Sequence, residues 1–339
     1  MQSIKYNRVL IIQTAFIGDV ILSTPIIEAL NNISKSISID ILVRKGNESL
    51  LKNHPKLNKI WVWDKKTNKL INQIKLINSL RKEKYDLVIN LQRFLSSGIF
   101  TLFSGAKVSI GFNKNPLSSS FTHTVPHIIE KGIHETDRNL DLLKPLFDDV
   151  QGSMKLYPNK SDFENTVKYK TKEYIVIAPT SVWFTKQYPM EKWVDLINNI
   201  SLDYDIYLIG GPDDLSKIDK TITQKANRNC INLCTKLSLL ESTALMKDAK
   251  MCYVNDSAPM HMASSVNAAV TAVFCSTSTD FGFGPKSTKS FVVEIEEKLS
   301  CRPCGLHGKK TCPEGHFDCA KKIYTKQLLL SLNDDRTRN

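Results

Sequence analysis

Short apolar runs recur along the first half of the chain. The run at residues 8–13 contains aliphatic and β-branched side chains without alternation, which is typical of a strand buried on both faces of a parallel sheet. Further runs of this kind lie at residues 38–43, 59–63, 87–91 and 107–111. We expect all of these segments to be strands of one sheet.

Helical patterns separate these runs. A helix is predicted at residues 20–31, and Pro25 is expected in its first turn, where proline is tolerated. In the next predicted helix, Ile74, Ile77 and Leu80 recur on one face, which we expect to pack on the sheet. Strands that alternate with helices form parallel βαβ units, so the pattern predicts an α/β fold with a doubly wound sheet.

The same pattern restarts in the second half. A polar, basic stretch at residues 157–172 suits a linker. Strand-like runs follow it at residues 174–178, 205–210, 251–255 and 269–274, with helices between them. The sequence therefore predicts two domains, residues 1–165 and 166–339, with a cleft between them. In such sheets ligands bind at the carboxyl ends of the strands.

Composition adds a charge asymmetry. The formal net charge is +12, and residues 1–165 hold 23 of the 46 basic but only 15 of the 34 acidic side chains. This bias favours an acidic partner such as a phosphorylated glycolipid or anionic lipid headgroups, although a lysine-rich proteome explains it equally well. No nucleic-acid-binding motif accompanies the charge, so we expect no nucleic-acid partner. The apolar start is too short and too polar for a membrane span or a signal peptide, which predicts a cytoplasmic protein.

The first candidate for chemistry is Asp19, which follows the first predicted strand. Gly18 allows a tight turn, and Asp19 falls at a helix N-terminus, where the helix dipole favours an ionised carboxylate. Such an aspartate either caps the helix or acts as a base that faces the cleft. Spacing alone favours the cap.

Polar side chains also follow the strands of the second half. Thr180 and Ser181 come directly after the run at residues 174–178, and Lys186 lies nearby. This set suits a pyrophosphate leaving group because lysine neutralises the charge that develops on it, while a solvated loop lysine is the alternative. Asp214 follows the next strand, where an acidic side chain either contacts ribose hydroxyls or caps a helix.

The segment at residues 254–261 ends a strand and begins a helix. Asp256, Ser257 and Ala258 lie at this junction, where backbone N–H groups and a hydroxyl are offered to a diphosphate. His261, on the first turn of the helix, could reach the same anion. Without further context a structural role for this histidine is favoured.

Together these segments resemble the heptosyltransferase family, glycosyltransferase family 9, over nearly the whole chain. Residues 17–20 and 23–25 look like the opening motif of that family. Residues 255–261 are similar to its second motif, in which glycine usually stands at the position of Ala258. Residues 186–189 are similar to its Lys-x-Trp-Pro motif, with tyrosine in place of tryptophan.

The resemblance implies a GT-B fold, in which two Rossmann-like domains face each other across the active cleft. The C-terminal domain would bind the donor, ADP-heptose, and the N-terminal domain the acceptor, the lipopolysaccharide inner core. Asp19 would be the general base that takes the acceptor hydroxyl's proton as its oxygen attacks the anomeric carbon with inversion. Lys186 would stabilise the departing ADP, so no metal or other cofactor is expected in catalysis.

The resemblance also implies the donor contacts. The diphosphate and the sugar would be lined by Thr180, Ser181, Asp256, Ser257, Ala258 and His261. Asp214 would contact the ribose. Contact with the anionic inner membrane is expected to be peripheral and electrostatic, and therefore to be released by high salt.

A cluster of cysteines lies near the C-terminus. Cys301, Cys304, Cys312 and Cys319 have a spacing with which four thiolates close a tetrahedral zinc site in a cytosolic protein. Such a zinc would be structural and would hold the loop after the last strand near the donor site. A reduced cluster packed within the loop is the alternative.

Two other functions stay open at this point. The same fold could use another nucleotide sugar in surface-polysaccharide assembly, or the chain could be a non-catalytic relative that binds a nucleotide sugar or a glycan. The presence of both Asp19 and Lys186 argues against a non-catalytic relative. A nicotinamide-dependent oxidoreductase is disfavoured because no Gly-x-Gly-x-x-Gly follows any predicted strand.

Overall fold

The computed structural model describes residues 6–333, and it divides the chain into two compact units with the junction between Tyr157 and Pro158. The predicted boundary lies later, after residue 165. The difference arises because residues 160–165 pack within the second unit, where Asn165 Nδ2 donates to Glu241 Oε1 at 2.6 Å. The outer ends of the predicted domains, residues 1–5 and 334–339, lie outside the described residues.

The first unit is built on a six-stranded parallel sheet. Its strands are β1 (Arg8–Gln13), β2 (Ser38–Arg44), β3 (Lys59–Trp63), β4 (Leu87–Asn90), β5 (Val108–Phe112) and β6 (His123–Val125), in the spatial order β3-β2-β1-β4-β5-β6. Its helices are α1 (Ile17–Ile33), α2 (Lys69–Lys82), α3 (Leu95–Phe103) and α4 (Glu135–Asp141). The predicted strands are confirmed, and β6 is an additional, three-residue edge strand.

Helix α1 begins earlier than the sequence pattern indicated, so Pro25 lies in its interior. The prediction that Pro25 occupies the first turn is wrong. Proline lacks the N–H that would bond to the carbonyl of Ile21 four residues back. The hydroxyl of Thr24 donates to that carbonyl instead, at 2.7 Å, which satisfies the buried acceptor.

Helix α2 packs on the sheet with a different face from the one expected. Ile77 and Leu80 are buried, but Ile74 is 60% exposed, so the prediction that all three pack on the core is wrong for Ile74. The core side is taken by Gln73, which is buried and whose Nε2 donates to the carbonyl of Ser96 at 3.0 Å.

The second unit repeats the architecture. Its strands are β7 (Tyr174–Ala178), β8 (Asp205–Leu208), β9 (Ile231–Asn232), β10 (Met251–Asn255), β11 (Val270–Phe274) and β12 (Ser290–Glu294), all parallel, in the order β12-β11-β10-β7-β8-β9. Its helices are α5 (Lys160–Glu164), α6 (Met190–Asn199), α7 (Leu215–Ile218), α8 (Leu239–Lys247), α9 (Ala258–Ser265), α10 (Asp318–Lys321) and α11 (Thr325–Leu332). The predicted linker thus contains a short helix.

Each unit has its own apolar core. Trp63 and Phe100 pack edge to face within the first unit, at a ring-centroid distance of 4.9 Å. Tyr188 and Trp193 do the same within the second, at 5.1 Å. Across residues 6–333, none of the helices has the length and apolarity needed to cross a membrane. The fold class predicted from the alternation of strands and helices is confirmed.

Both units place their strands in the order 3-2-1-4-5-6, counted along the chain within each unit. The order reverses between β1 and β4 in the first unit and between β7 and β10 in the second. Ligands bind in doubly wound sheets beside this reversal, at the carboxyl ends of the strands. The residues that follow these four strands are therefore the first place to look for chemistry.

Candidate active site

Asp19 lies in the first turn of α1, directly after β1. The N-cap of the helix is Phe16, whose backbone N–H donates to Asp19 Oδ2 at 3.1 Å. Asp19 is thus not the N-cap itself, but its carboxylate closes the helix end from the third position, as in a capping box. The side chain stays partly exposed at the carboxyl edge of the sheet.

A second carboxylate lies near Asp19. Burial raises the pKa of Glu135, the neighbouring Arg138 opposes this rise, and the charge of Asp19 adds to it. Arg138 Nε donates to Glu135 Oε2 at 2.8 Å, and its Nη1 donates to the carbonyl of Ile133 at 2.8 Å. Helix α4, which carries this pair, is joined to α1 by Asn139 Nδ2, which donates to the carbonyl of Leu22 at 3.0 Å.

Two arginines, Arg138 and Arg93, lie within electrostatic reach of Glu135. The pKa of His127 is lowered to about 4, chiefly by burial and further by the charges of Arg93, Arg138 and Lys114. Arg93 also acts on the pKa of Glu135. A group of cations beside two carboxylates can orient an acceptor that carries phosphate or carboxylate groups while one of the two carboxylates acts as a base.

In the second unit, Lys186 forms an ion pair with Asp256. Lys186 ends a 3₁₀ turn after β7, Asp256 follows β10, and the Nζ–Oδ2 distance is 2.7 Å. The hydroxyl of Thr277, after β11, donates to the same carboxylate oxygen at 2.6 Å. The side chains of Lys186 and Asp256 are 14% and 6% exposed. A lysine charge held in such a low-dielectric place acts strongly on a bound anion.

The loop that carries Lys186 is held in place by its neighbours. The side chain of Asn255 accepts the backbone N–H of Tyr188 at 2.8 Å, and Tyr188 itself is fully buried. Gln187 Nε2 donates to the carbonyl of Ser181 at 2.6 Å. These contacts link the end of β10 to the loop after β7, so the ammonium group has a fixed position.

The other residues predicted after β7 and β10 lie at the same edge. Thr180 is buried and Ser181 is half-buried, directly after β7. Ser257 is the N-cap of α9 and Ala258 is its first residue, so the N-terminus of this helix directly follows Asp256 of the ion pair. Pro259 has no N–H and Met260 donates to the carbonyl of Ser257 at 3.0 Å, which leaves the N–H of Ala258 as the one the first helical residues can offer to an anion. His261 is buried in the same helix. The structure brings these residues together with Lys186.

Asp214 lies one strand away, after β8. Its Oδ2 accepts the backbone N–H of Gly211 at 2.8 Å and so closes the short 3₁₀ turn Pro212–Asp214. The capping role that the sequence left open is therefore present. A contact to ribose stays a prediction.

The cysteine-rich segment at residues 301–319 is attached to the end of β11. Arg302 Nε donates to the carbonyl of Cys275 at 2.8 Å, and its Nη2 donates to the carbonyl of Thr277 at 2.7 Å. The backbone N–H of Cys304 donates to the carbonyl of Ser276 at 2.8 Å. The segment thus reaches the residue that bonds to Asp256.

The same segment packs directly on the lysine loop. Thr185 donates its backbone N–H to the carbonyl of Lys309 at 3.1 Å and accepts the N–H of Lys309 on its hydroxyl at 2.7 Å. A Cβ on Gly308 would lie 2.9 Å from Lys186 Cγ and from Trp183 Cβ. There is therefore no room for a side chain at position 308 unless Lys186 or Trp183 moves.

The four clustered thiols lie within electrostatic reach of one another. The pKa of Cys319 is raised to about 12, chiefly by burial and further by the thiols of Cys304, Cys312 and Cys301. Between residues 6 and 333, no group of three or more His, Cys, Asp or Glu side chains is arranged to hold a metal ion. The zinc site at these four cysteines stays a prediction.

Several residues of these two sites were missed by the sequence analysis. Thr277 stands in a Ser-Thr-Ser run after a buried strand, which is the signal that identified Thr180, and could have been found in the same way. Glu135 and Arg138 are spaced three apart on a short helix far along the chain from Asp19. Only the packing of α4 on α1 brings them near Asp19, and no local sequence pattern indicates this packing.

Comparison with known proteins identifies the family of the chain. The family model for glycosyltransferase family 9 (heptosyltransferase) matches residues 73–316. Lipopolysaccharide heptosyltransferase 3 of Escherichia coli is 29% identical over 280 residues, which cover 77% of this chain and 82% of that protein.

Two solved structures share the fold. The glycosyl transferase family 9 protein of Veillonella parvula has a TM-score of 0.85 at 20% identity and covers 98% of both chains. E. coli ADP-heptose lps heptosyltransferase II has a TM-score of 0.78 at 20% identity and covers 96% of this chain and 97% of that one. With the family match spanning most of its length, the chain belongs to glycosyltransferase family 9, the heptosyltransferase family, and is a glycosyltransferase.

Proposed function

We propose that the protein transfers heptose from ADP-heptose to the lipopolysaccharide inner core with inversion at the anomeric carbon. The observation that carries the proposal is the Lys186–Asp256 ion pair beside the N-terminus of α9. A lysine cation beside a helix N-terminus at one strand edge forms a site for a diphosphate. The names of the relatives, lipopolysaccharide heptosyltransferase 3 and ADP-heptose lps heptosyltransferase II, support the choice of donor and acceptor.

In this mechanism Lys186 acts on the leaving group. As the bond between sugar and phosphate breaks, negative charge grows on the β-phosphate of ADP, and the ammonium stabilises it. Asp256 repels a diphosphate, so we assign it to holding Lys186 charged and in place and to contact with sugar hydroxyls. Thr277 fixes the carboxylate by donating to the oxygen that faces the lysine.

Asp19 acts on the acceptor. Its carboxylate takes the proton of the acceptor hydroxyl while that oxygen attacks the anomeric carbon from the face opposite the leaving ADP, which inverts the configuration. One carboxylate oxygen is engaged by the Phe16 N–H, so the helix end fixes the direction of the other. Arg93 is suited to hold an anionic group of the acceptor, whereas Arg138 is buried and holds Glu135.

The proposal includes donor contacts from Thr180, Ser181, Ser257, Ala258, His261 and Asp214. It requires no metal in the chemical step, because Lys186 supplies the positive charge. A zinc ion at Cys301, Cys304, Cys312 and Cys319 would serve only to hold the cysteine-rich segment. The proposal places the reaction in the cytoplasm, at the inner face of the membrane.

The test is ADP release from ADP-heptose with a purified inner-core acceptor, in EDTA, for the wild type and for Asp19→Asn. The asparagine keeps an oxygen for the Phe16 N–H but cannot accept a proton, so kcat should fall by about 10²–10⁴-fold. Asp162→Asn is the matched control, because Asp162 Oδ2 accepts the Asn159 N–H at 2.8 Å in the same kind of capping box, on α5.

The outcomes separate the parts of the proposal. Near-normal turnover in Asp19→Asn would leave this aspartate only a capping role. Turnover that EDTA abolishes and Mg²⁺ alone restores would contradict the metal-free mechanism, whereas restoration by Zn²⁺ alone would point to the structural site at the cysteines. Wild-type turnover with a different nucleotide sugar, and none with ADP-heptose, would assign the protein to another branch of surface-polysaccharide assembly.

A further inference from the structure

The first two turns of α2 expose apolar side chains to solvent. Leu70, Ile71 and Ile74 are each more than half exposed. Residues three and four apart share a helix face, so these three side chains form one contiguous surface. Further along the helix the apolar side chains are covered, since Ile77 and Leu80 are buried in the core.

The neighbouring helix α3 shows the same arrangement. Leu95, Leu102 and Phe103 are about half exposed, and Phe100 is fully buried in the core that α2 also covers. The two helices are joined by the hydrogen bond from Gln73 to the carbonyl of Ser96. The exposed apolar side chains of these two adjacent helices are defined here as the α2–α3 face: Leu70, Ile71, Ile74, Leu95, Leu102 and Phe103.

The α2–α3 face has a basic border. Residues 65–82 contain six basic side chains and no acidic one. Lys69 and Lys75 are exposed next to the apolar positions of α2. Exposed aliphatic and aromatic side chains with cations at their edge are the features of a surface that lies at the interface of an anionic bilayer.

We propose that the α2–α3 face docks on a bilayer of anionic phospholipid, with the apolar side chains inserted among the acyl chains and the lysines on the headgroups. A second copy of this chain is a poorer occupant, because a two-fold contact would bring the same cations against one another. Phe94, exposed at the start of α3, continues the face to the segment that follows β4. Docking would thus bring the carboxyl edge that carries Asp19 to the membrane surface.

This arrangement predicts more than electrostatic adsorption. Salt should weaken binding through the lysines but leave a residual affinity from the buried apolar side chains. The sequence alone led to the expectation that high salt releases the protein completely. The α2–α3 face changes that expectation, because Ile74 is available for insertion instead of packing on the sheet.

The experiment is co-sedimentation of the full-length protein with vesicles of mixed phosphatidylglycerol and phosphatidylcholine, at low and high salt, for the wild type, Ile74→Glu and Leu330→Glu. Leu330 is the matched control, because it is 70% exposed on helix α11 of the second unit. Ile74→Glu should reduce the vesicle affinity by about tenfold or more, and Leu330→Glu should leave it within about twofold. Equal melting temperatures of the two variants show that folding is intact.

Equal vesicle binding by wild type and Ile74→Glu would overturn the proposal, as would equal binding to phosphatidylcholine alone. If the wild type does not bind vesicles but forms a dimer, and Ile74→Glu dissociates that dimer, the α2–α3 face would instead be the interface with a second copy of the chain. Turnover with a water-soluble acceptor fragment should be unchanged in Ile74→Glu, so failure of docking is distinguishable from failure of the transferase assignment.

Discussion

The side chain of Lys186 combines two properties that oppose each other in most proteins. It is largely buried, yet it forms an ion pair: its Nζ lies 2.7 Å from Asp256 Oδ2, which also accepts the hydroxyl of Thr277. Breaking a buried pair by removing one partner leaves the other charge uncompensated. Substitution of Lys186 therefore affects both turnover and the donor site's electrostatics.

Lys186→Met should lower kcat by about 10²–10³-fold, because the leaving diphosphate loses its cation. Lys170→Met is the control. Lys170 also forms an ion pair, 2.6 Å from Asp248, and its side chain is 18% exposed. It precedes β7 and so lies away from the carboxyl ends of the strands. Steady-state kinetics with the donor varied would measure both. A Lys186→Met enzyme with wild-type kcat and only a raised KM would contradict the assigned role in the leaving-group step.

At the scale of elements, the cysteine-rich segment determines where the lysine loop lies. It is hydrogen-bonded to Thr185, and it closes over Lys186 at Gly308 with no room for a further carbon. Small displacements of a catalytic group have large effects on rate. The segment is thus part of the proposed donor site, although none of its own side chains is assigned to chemistry.

Gly308→Ala should lower kcat about tenfold or more by displacing Lys186 and Trp183, whose carbons lie 2.9 Å from the added methyl position. Gly315→Ala is the matched control, because Gly315 also has a positive φ of +74° but open space around its Cβ position. Both variants should lose roughly 1 kcal/mol of stability from the left-handed backbone. Equal kcat values for the two variants would show that the contact with Lys186 is unimportant for catalysis.

Features that depend on neighbouring residues in the chain could be predicted from the sequence, and features that depend on distant residues could not. The strands and the edge residues Asp19, Lys186 and Asp256 were predicted, because buried strands have continuous apolar runs and their ends carry polar side chains. The face with which a helix packs on the core was harder to predict. Ile74 has the spacing of a core residue, but Gln73 takes the core position and its side chain bonds to Ser96. Long-range contacts such as Glu135 with Asp19 leave no pattern in the sequence.

At the scale of the whole molecule, stability depends on buried histidines in the first unit. His54 lies edge to face with Tyr157, 4.7 Å between ring centroids, next to the junction of the units. Its pKa is lowered to about 4, chiefly by burial, with Glu28 opposing and Lys56 adding to the shift. The unfolded chain takes up a proton near the ordinary pKa of 6.5, whereas the folded chain does so only near 4.

Stability should therefore fall as the pH decreases from about 6.5 to 4, by roughly 2 kcal/mol for His54 at about pH 5. Urea unfolding at neutral and acidic pH would measure this loss. His54→Phe keeps an aromatic ring against Tyr157 and removes the proton site, so its loss should be smaller, while the exposed His123→Phe serves as the control. An identical pH dependence in wild type and His54→Phe would exclude His54 as a source.

The identical strand order of the two units has a consequence for how such enzymes diversify. Each half carries its own sheet and core, and the proposed base lies in one half and the proposed leaving-group lysine in the other. Acceptor specificity and donor specificity can then evolve independently of each other. Recombination at residues 157–158 can join the donor-binding unit of one enzyme to the acceptor-binding unit of another. A chimaeric gene joined there should combine the sugar of one parent with the glycan target of the other.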